Sequence, residues 1–204
     1  TVEIQGSNVN LVNGTIKMYK GGKTLRVTAT NGAVKQEAEH EIWADQVEIK
    51  ALNGIQLDNA GRSSVACNNR FGKLVLQNTS DDVVLGNHGS SEWDVVFADG
   101  TKAKNIYLHN HADGAVNAIK TQGAIVASGR VNLTNDEAAD IQGASAVTAG
   151  TIEMKAGASI VNTGDLTSAI MTKIAAAKDV TNGNVKSDGT VDLTATVGGV
   201  LIIG

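Results

Sequence analysis

Three of the four histidines in the chain stand within a short stretch of sequence and raise the first question about chemistry. His109 and His111 alternate along a segment with strand character, so both side chains point to the same face. With His88 and Asp113 they would supply nitrogen and oxygen donors of the kind that bind a transition metal. A metal site needs three or more converging ligands, and the spacing alone places only two. We therefore expect exposed histidines on a strand, with no bound metal and no cofactor.

Four acidic residues raise the alternative of catalysis on a carbohydrate. Asp81 and Asp82 are adjacent, and Asp94 and Asp99 follow them closely. Paired carboxylates carry out glycoside hydrolysis, and carboxylate clusters also bind calcium. Asp81 and Asp82, however, stand between two apolar strand-like runs, where acidic residues commonly form turns. The sequence therefore predicts no enzyme, and cleavage of a polysaccharide by converging carboxylates stays as the alternative.

Aromatic side chains make up only 3% of the chain, and three of them surround the first long gap in the repeat described below. These three are Trp93, Phe97 and Tyr107. An exposed aromatic ring offers a flat apolar surface to a sugar ring, and loops on a regular scaffold often carry binding sites. The other explanation is that Trp93 and Phe97 pack an inserted loop onto the body of the protein. We take all three as the predicted binding residues.

Cys67 is the single cysteine, so the chain forms no internal disulfide. A nucleophilic cysteine needs a neighbouring base, and none stands near Cys67 in the sequence. Val65 and Cys67 alternate in a strand-like run, which predicts a buried and unreactive thiol.

The elements that must position these residues form a repeat. A five-residue phrase alternates apolar and polar residues and returns at intervals of about 20 to 25 residues. Alternation with period two indicates a strand that is buried on one face. Two intervals are longer, 32 residues from Leu74 and 39 residues from Ile152, and the second would hold nearly two units. The phrase starts at Val2, Leu25, Val47, Leu74, Ile106, Val131, Ile152 and Val191.

Short strands and sharp corners at this interval are typical of the coils of a parallel β-solenoid. Turn signals such as Asn13-Gly14, Asn53-Gly54 and Asp99-Gly100 separate the strands. Proline, which cannot donate a backbone hydrogen bond to a neighbouring strand, is absent. We predict one all-β domain over residues 1–204, a parallel β-helix of about eight or nine coils. A β-sandwich would also explain short strands, but it would not require the phrase to return.

Two segments depart from the repeat. Residues 87–104 fill the first long interval, which predicts an inserted loop. Residues 169–178 have helical spacing, with Ile170, Ile174 and Lys178 four apart, and they are rich in helix formers. They predict either a short helical insertion or an alanine-rich strand of the solenoid. Asn and Thr residues at equivalent positions of several units predict ladders of side-chain hydrogen bonds along the corners.

The stretch from Leu25 to Asn59 resembles the repeat region of filamentous-haemagglutinin-type exoproteins, the large secreted adhesins of Gram-negative bacteria. Residues 148–157 are similar again, whereas the family's proline-containing secretion signature is absent from this chain. The resemblance implies a right-handed parallel β-helix at the bacterial cell surface, serving as an adhesin, its stalk or a fibre segment. The matching residues are Asn31, Gly32, Gln36, Ile42, Ala44, Val47, Ile49, Ala51, Asn53, Gly54, Ile55, Leu57, Asn59, Ala60 and Gly61.

The expected function is therefore structural and adhesive, with a surface receptor or a glycan as partner. A formal net charge of −4 provides no basic field for nucleic acid. The apolar residues 200–203 predict either that the native chain continues beyond one or both ends of this sequence or that copies associate end to end. A polysaccharide-binding or polysaccharide-cleaving β-helix, such as a phage tailspike, and a self-assembling extracellular filament subunit stay as alternatives.

Overall fold

The computed structural model describes residues 1–18, 21–59, 67–88, 94–112, 117–136 and 138–203. The predicted binding residue Trp93 and the candidate ligand Asp113 lie outside these ranges. All regular elements within the ranges are β-strands. In chain order they are β1 Val2–Gly6, β2 Val9–Leu11, β3 Gly14–Met18, β4 Thr24–Ala29, β5 Val34–Gln36, β6 His40–Lys50, β7 Ile55–Leu57, β8 Arg70–His88, β9 Val95–Phe97, β10 Thr101–His111, β11 Ile119–Thr121, β12 Ile125–Ala127, β13 Arg130–Asn135, β14 Ile141–Gly143, β15 Val147–Ala156, β16 Ile160–Asn162, β17 Leu166–Ala176, β18 Val180–Asn182, β19 Val185–Ser187, β20 Thr190–Ala195 and β21 Val200–Ile202.

The strands form a parallel β-solenoid of about eight turns, which confirms the predicted fold. Each coil runs in the same order through three parallel ladders, which we call the first, second and third ladder, and each strand of a ladder is one rung. The first ladder contains β1, β4, the end of β6, the middle of β8, the start of β10, β12, the starts of β15 and β17, and β19. The second contains β2, β5, β7, the ends of β8, β10, β15 and β17, β13 and β20. The third contains β3, the starts of β6 and β8, β9, β11, β14, β16, β18 and β21.

Aliphatic side chains from all three ladders fill the interior. In the first ladder Val27 pairs with Ile49, and Ile49 pairs with Leu76, so that inward residues form a continuous column. All three are at most 2% exposed. Burying a side chain of this size stabilises the fold by about 1.5–3 kcal/mol. Because the interior is narrow and each rung adds few residues, small and aliphatic side chains suffice, which explains the low aromatic content.

Glycine allows several of the sharp corners that the sequence predicts. Gly14, Gly54 and Gly100 have φ angles of 109°, 112° and 95°. These values lie in a region that side chains with a Cβ atom rarely adopt. The Asn-Gly and Asp-Gly signals at these three positions are therefore confirmed as turns between strands.

Residues 87–104 are not an inserted loop, apart from residues 89–93, which lie outside the described ranges. Asn87 and His88 end β8, β9 is a third-ladder rung, and β10 begins at Thr101. Lys102 pairs with Gln77 in the first ladder, an ordinary interval of 25 residues. The 32-residue gap arises because the repeated phrase moves from the first ladder at Leu74 to the second ladder at Ile106. Sequence spacing cannot distinguish this change of ladder from an insertion.

The segment 169–178 is not helical, since β17 occupies Leu166–Ala176 and pairs with rungs on both sides. Hydrogen bonds to two neighbouring strands outweigh the weak helical preference of its alanines. Thr172 pairs with Ile152 and with Val191, so it begins the unit that the 39-residue interval was expected to hold. Its buried hydroxyl lies 2.8 Å from the Ser168 hydroxyl, which supplies the hydrogen bond that a threonine needs in this apolar column.

Candidate functional site

The three predicted aromatic residues do not share one environment. Tyr107 is partly exposed on the outer face of the second ladder, between outward neighbours on adjacent rungs. Phe97 is 0% exposed and belongs to the core, so its prediction as a binding residue is wrong. The reason is that Phe97 continues a third-ladder rung rather than a projecting loop. Trp93 lies outside the described residues.

The outer face beside Tyr107 brings histidines and an aspartate together from neighbouring rungs. His109 Nε2 lies 2.7 Å from Asp136 Oδ2, and His111 Nδ1 lies 3.4 Å from the same oxygen. His88 pairs in register with His111, and their ring centroids are 5.1 Å apart. His88, His109 and His111 therefore do converge as the sequence indicated, and Asp136 joins them.

Asp136 is the member of this cluster that sequence reasoning missed. It directly follows the phrase at residues 131–135, as His111 directly follows the phrase at residues 106–110. Aligning the two phrases would have placed Asp136 and His111 in one column of the solenoid. Among the described residues, no group of three or more His, Cys, Asp or Glu side chains is arranged to hold a metal ion.

The polar surface continues across the next rungs of the second ladder. Asn132 Nδ2 donates to Glu153 Oε2 over 2.9 Å, and the Thr134 hydroxyl donates to Asn132 Oδ1 over 3.2 Å. These bonds hold the side chains in defined orientations at successive levels along the solenoid. We call the whole outward area the central surface; its residues are Val84, His88, Tyr107, His109, His111, Asn132, Thr134, Asp136 and Glu153.

An asparagine ladder lies directly beneath the central surface, inside the coil. Asn87 Nδ2 donates to Asn110 Oδ1 over 2.6 Å, and Asn110 Nδ2 donates to Asn135 Oδ1 over 2.8 Å. Asn135 Nδ2 also donates to the carbonyls of Asn117 and Asp140, in the connection that leads from the second to the third ladder. The predicted corner ladder of asparagines is confirmed at Asn110 and Asn135. It fixes the edge of the rungs that carry His88, His111 and Asp136.

The four acidic residues considered for catalysis do not converge. Asp81 and Asp82 lie between the first and second ladders, Asp94 between the second and third, and Asp99 between the third and first. Each of the last three accepts a hydrogen bond from the next coil, which is a structural role at a corner. Their partners are Asn105 Nδ2 at 2.7 Å from Asp82, Ala118 N at 2.9 Å from Asp94 and Ala124 N at 3.0 Å from Asp99.

A second outward feature is a shallow groove of about 520 Å³ on the first ladder. Lys50, Gln77 and Lys102 occupy successive rungs along it, and the partly apolar rim includes Leu52. Arg26 lies beside the groove, where its hydrogen bonds to Glu48 and then to Glu3 raise its pKa. We call this feature the lysine groove. It has a positive character, whereas the central surface carries Asp136 and Glu153.

Cys67 is buried, as predicted, in a cluster of amide side chains. Its thiol lies 2.6 Å from Asn59 Oδ1, and Asn69 exchanges two hydrogen bonds with Gln36 at 2.6 and 2.7 Å. The adjacent His40 is 5% exposed, and its Nδ1 atom has no hydrogen-bond partner. Burial lowers the pKa of the His40 imidazole, with a smaller opposing effect from Glu41.

No helix that could span a membrane occurs in the described ranges. A scan of family models, a search of curated proteins and a search of solved structures found no match to this chain.

Proposed function

We propose that this chain is a segment of a secreted or cell-surface adhesive protein, in which the solenoid is a stiff support and the central surface binds a glycan or a receptor. The observation that carries the proposal is the grouping of Tyr107 with His109, His111 and Asp136 on one outward face. A partly exposed tyrosine with polar groups around it offers both an apolar contact and directional hydrogen bonds.

The parallel ladders support the adhesive role because they hold outward side chains in fixed positions. Tyr107 belongs to a rung with hydrogen-bonded strands on both sides, paired with Val84 and with Asn132. A binding surface on such rungs loses little conformational freedom when a ligand arrives, which favours affinity. The resemblance to exported adhesins of Gram-negative bacteria agrees with this role and suggests the outside of the cell as its location.

The unequal ends of the solenoid favour this proposal over the filament alternative. At the first coil the second-ladder strand has three residues, β2, whereas at the last coil it has six, β20. The first-ladder strands differ in the opposite sense, with five residues in β1 and three in β19. A head-to-tail joint between two copies would thus set strands of unequal length against each other and leave backbone groups unpaired.

The test is binding of the purified chain to an array of glycans and to whole cells, comparing Tyr107→Ala with Lys173→Ala. Lys173 lies in the same outward column of the second ladder but several rungs away, so it is a matched control. We expect Tyr107→Ala and His111→Ala to reduce binding while Lys173→Ala does not. Point variants are needed because deleting residues 87–104 would remove β9 and the start of β10. Equal binding by Tyr107→Ala and the unaltered chain would contradict the proposed site.

A further inference from the structure

We propose, resting on the adhesive function above, that the ligand of the central surface is an extended, uncharged polysaccharide that runs parallel to the solenoid axis, with successive sugars on successive rungs. The inference concerns the class and orientation of the ligand.

The first argument is the repeat of the surface itself. Val84, Tyr107, Asn132 and Glu153 form one outward column, because each pairs in register with the next. Rungs of a sheet are roughly 4.8 Å apart, which is also about the advance of one sugar in an extended chain. A polysaccharide along the axis would therefore present an equivalent group to every rung, whereas a chain lying across the axis would meet only one or two rungs.

The second argument is the order of contacts within the column. Val84 and the Tyr107 ring give two neighbouring levels an apolar centre, suited to the flat face of a sugar ring. At the next level the centre is Asn132, whose amide already donates to Glu153 and whose carbonyl accepts from Thr134. The apolar faces and the polar edges of a sugar chain thus meet apolar and polar levels in sequence.

The third argument is the flanking column, which follows the same levels. His88 stands at the level of Val84, His111 at the level of Tyr107, and Asp136 follows on the rung of Asn132. The His111 and Asp136 side chains lie 3.4 Å apart, so hydrogen-bonding groups run continuously along one side of the column. Sugar hydroxyls both donate and accept, and mixed imidazole, amide and carboxylate groups satisfy them.

Charge selects the uncharged class. Asp136 and Glu153 lie on the central surface, and Arg130 is the adjacent cation, 3.9 Å from Glu153. Sulfate or carboxylate groups on a glycan would be placed close to these carboxylates and repelled. The lysine groove, with Lys50 and Lys102, has the opposite character and serves as an internal comparison.

The experiment is calorimetric titration of the chain with two uncharged β-1,4-linked series, glucose oligomers and N-acetylglucosamine oligomers, from the monosaccharide upward. We expect the affinity for at least one series to rise by about tenfold or more between the mono- and the trisaccharide, as sugars reach successive rungs. Tyr107→Ala should lower trisaccharide affinity by about tenfold, the contribution of one stacked ring. Lys50→Ala should leave it unchanged, and unaltered thermal unfolding of each variant shows that the fold is intact.

Each result decides between the two levels of the proposal. Affinity that is lost in Tyr107→Ala but does not depend on oligomer length overturns the axial polysaccharide and leaves the adhesive site standing. Length-dependent affinity that Tyr107→Ala does not change places the ligand elsewhere and overturns both. Failure of both uncharged series to bind overturns the inference, and the glycan array and cell-binding assay then judge the adhesive function by themselves.

Discussion

The two halves of the solenoid use the same phrase on different ladders. In the N-terminal coils the first-ladder strands β1 and β4 have five and six residues, while the second-ladder strands β2 and β5 have three each. In the C-terminal coils the proportions reverse, with three residues in β12 and β19 against six in β13 and β20. The long strand β8 contains the change, because it contributes to all three ladders.

The position of the gentle corner changes together with the strand lengths. In β6 the chain passes from the third to the first ladder within one continuous strand, whereas in β10 and β15 it passes from the first to the second. The pairing register shifts at these later corners, between Ala103 and Asn105 and between Ala149 and Thr151. A bulge of this kind bends a strand without ending it. The widest outward face therefore lies on the first ladder in one half and on the second ladder in the other.

A second difference concerns the inward column at the end of the second ladder. In the middle of the molecule it holds Asn87, Asn110 and Asn135, and further along it holds Ala156 and Ala176. The asparagines stand where the connection to the third ladder is long, and the alanines where it is short. A longer connection leaves more backbone groups to be hydrogen-bonded, and an inward amide reaches them.

The largest effect is expected from breaking the region between the halves. Phe71 and Phe97 are buried on either side of the change of ladder, at 1% and 0% exposure. Phe97→Ala should reduce the free energy of unfolding by about 3–5 kcal/mol, because the cavity lies where strand lengths change. Urea denaturation measures this loss, with Val96→Ala, its partly exposed neighbour, as the control. A loss below 1 kcal/mol, roughly that of a surface change, would show that the junction tolerates a cavity.

Exchanging the inward residues of the two regions tests the second difference. Asn110→Ala removes hydrogen bonds to Asn135 and to the carbonyl of Asn117 and should lower the free energy of unfolding by about 1–3 kcal/mol. Ala176→Asn introduces a buried amide beside a short connection and should be destabilising by a similar amount. Both are measured by thermal and urea unfolding. A stable Ala176→Asn variant would mean that the column accepts asparagine anywhere.

A pH dependence is expected from the N-terminal half. The folded pKa of His40 lies below the ordinary value of about 6.5, because burial disfavours the charged imidazole. Its contribution to stability is therefore complete above pH 6.5 or so and is lost as the pH falls toward the folded pKa. Urea unfolding at neutral and mildly acidic pH, compared between the unaltered chain and His40→Gln, isolates this contribution. If the two respond to pH identically, His40 does not titrate as the burial predicts.

The smallest effect is expected from a corner ion pair of the C-terminal half. Lys120 Nζ lies 2.6 Å from Asp94 Oδ2, and both side chains are partly exposed. Lys120→Met should change the free energy of unfolding by about 0.2–1 kcal/mol, since solvent weakens such pairs. Asp94→Ala should have the larger effect, because Asp94 also accepts the Ala118 N–H. Equal effects in the two variants would mean that the backbone hydrogen bond contributes nothing.

Much of the fold and part of the site were predictable from particular residues. The phrases at Leu25 and Val47 predicted stacked strands, and Cys67 was predicted to be buried. The convergence of His109 with His111 followed from alternation along a strand. Asp136 escaped because it stands 25 residues from His111, so that only the lateral register brings them together. Phe97 was misassigned because an aromatic residue near a long gap has the same sequence signature in a loop and in a core strand.

By itself the sequence determined that the chain stacks as parallel strands, because period-two alternation, the returning phrase and the absence of proline together indicate it. It also determined that the interval between Ile152 and Val191 holds a further unit. Only the tertiary structure decided which ladder each phrase occupies, that residues 94–104 are strands and a corner of an ordinary coil, and that His88, His111 and Asp136 meet. The physical reason is that alternation specifies an inward and an outward face but not which of three ladders a strand joins. That choice follows from packing all three ladders against one shared core at once.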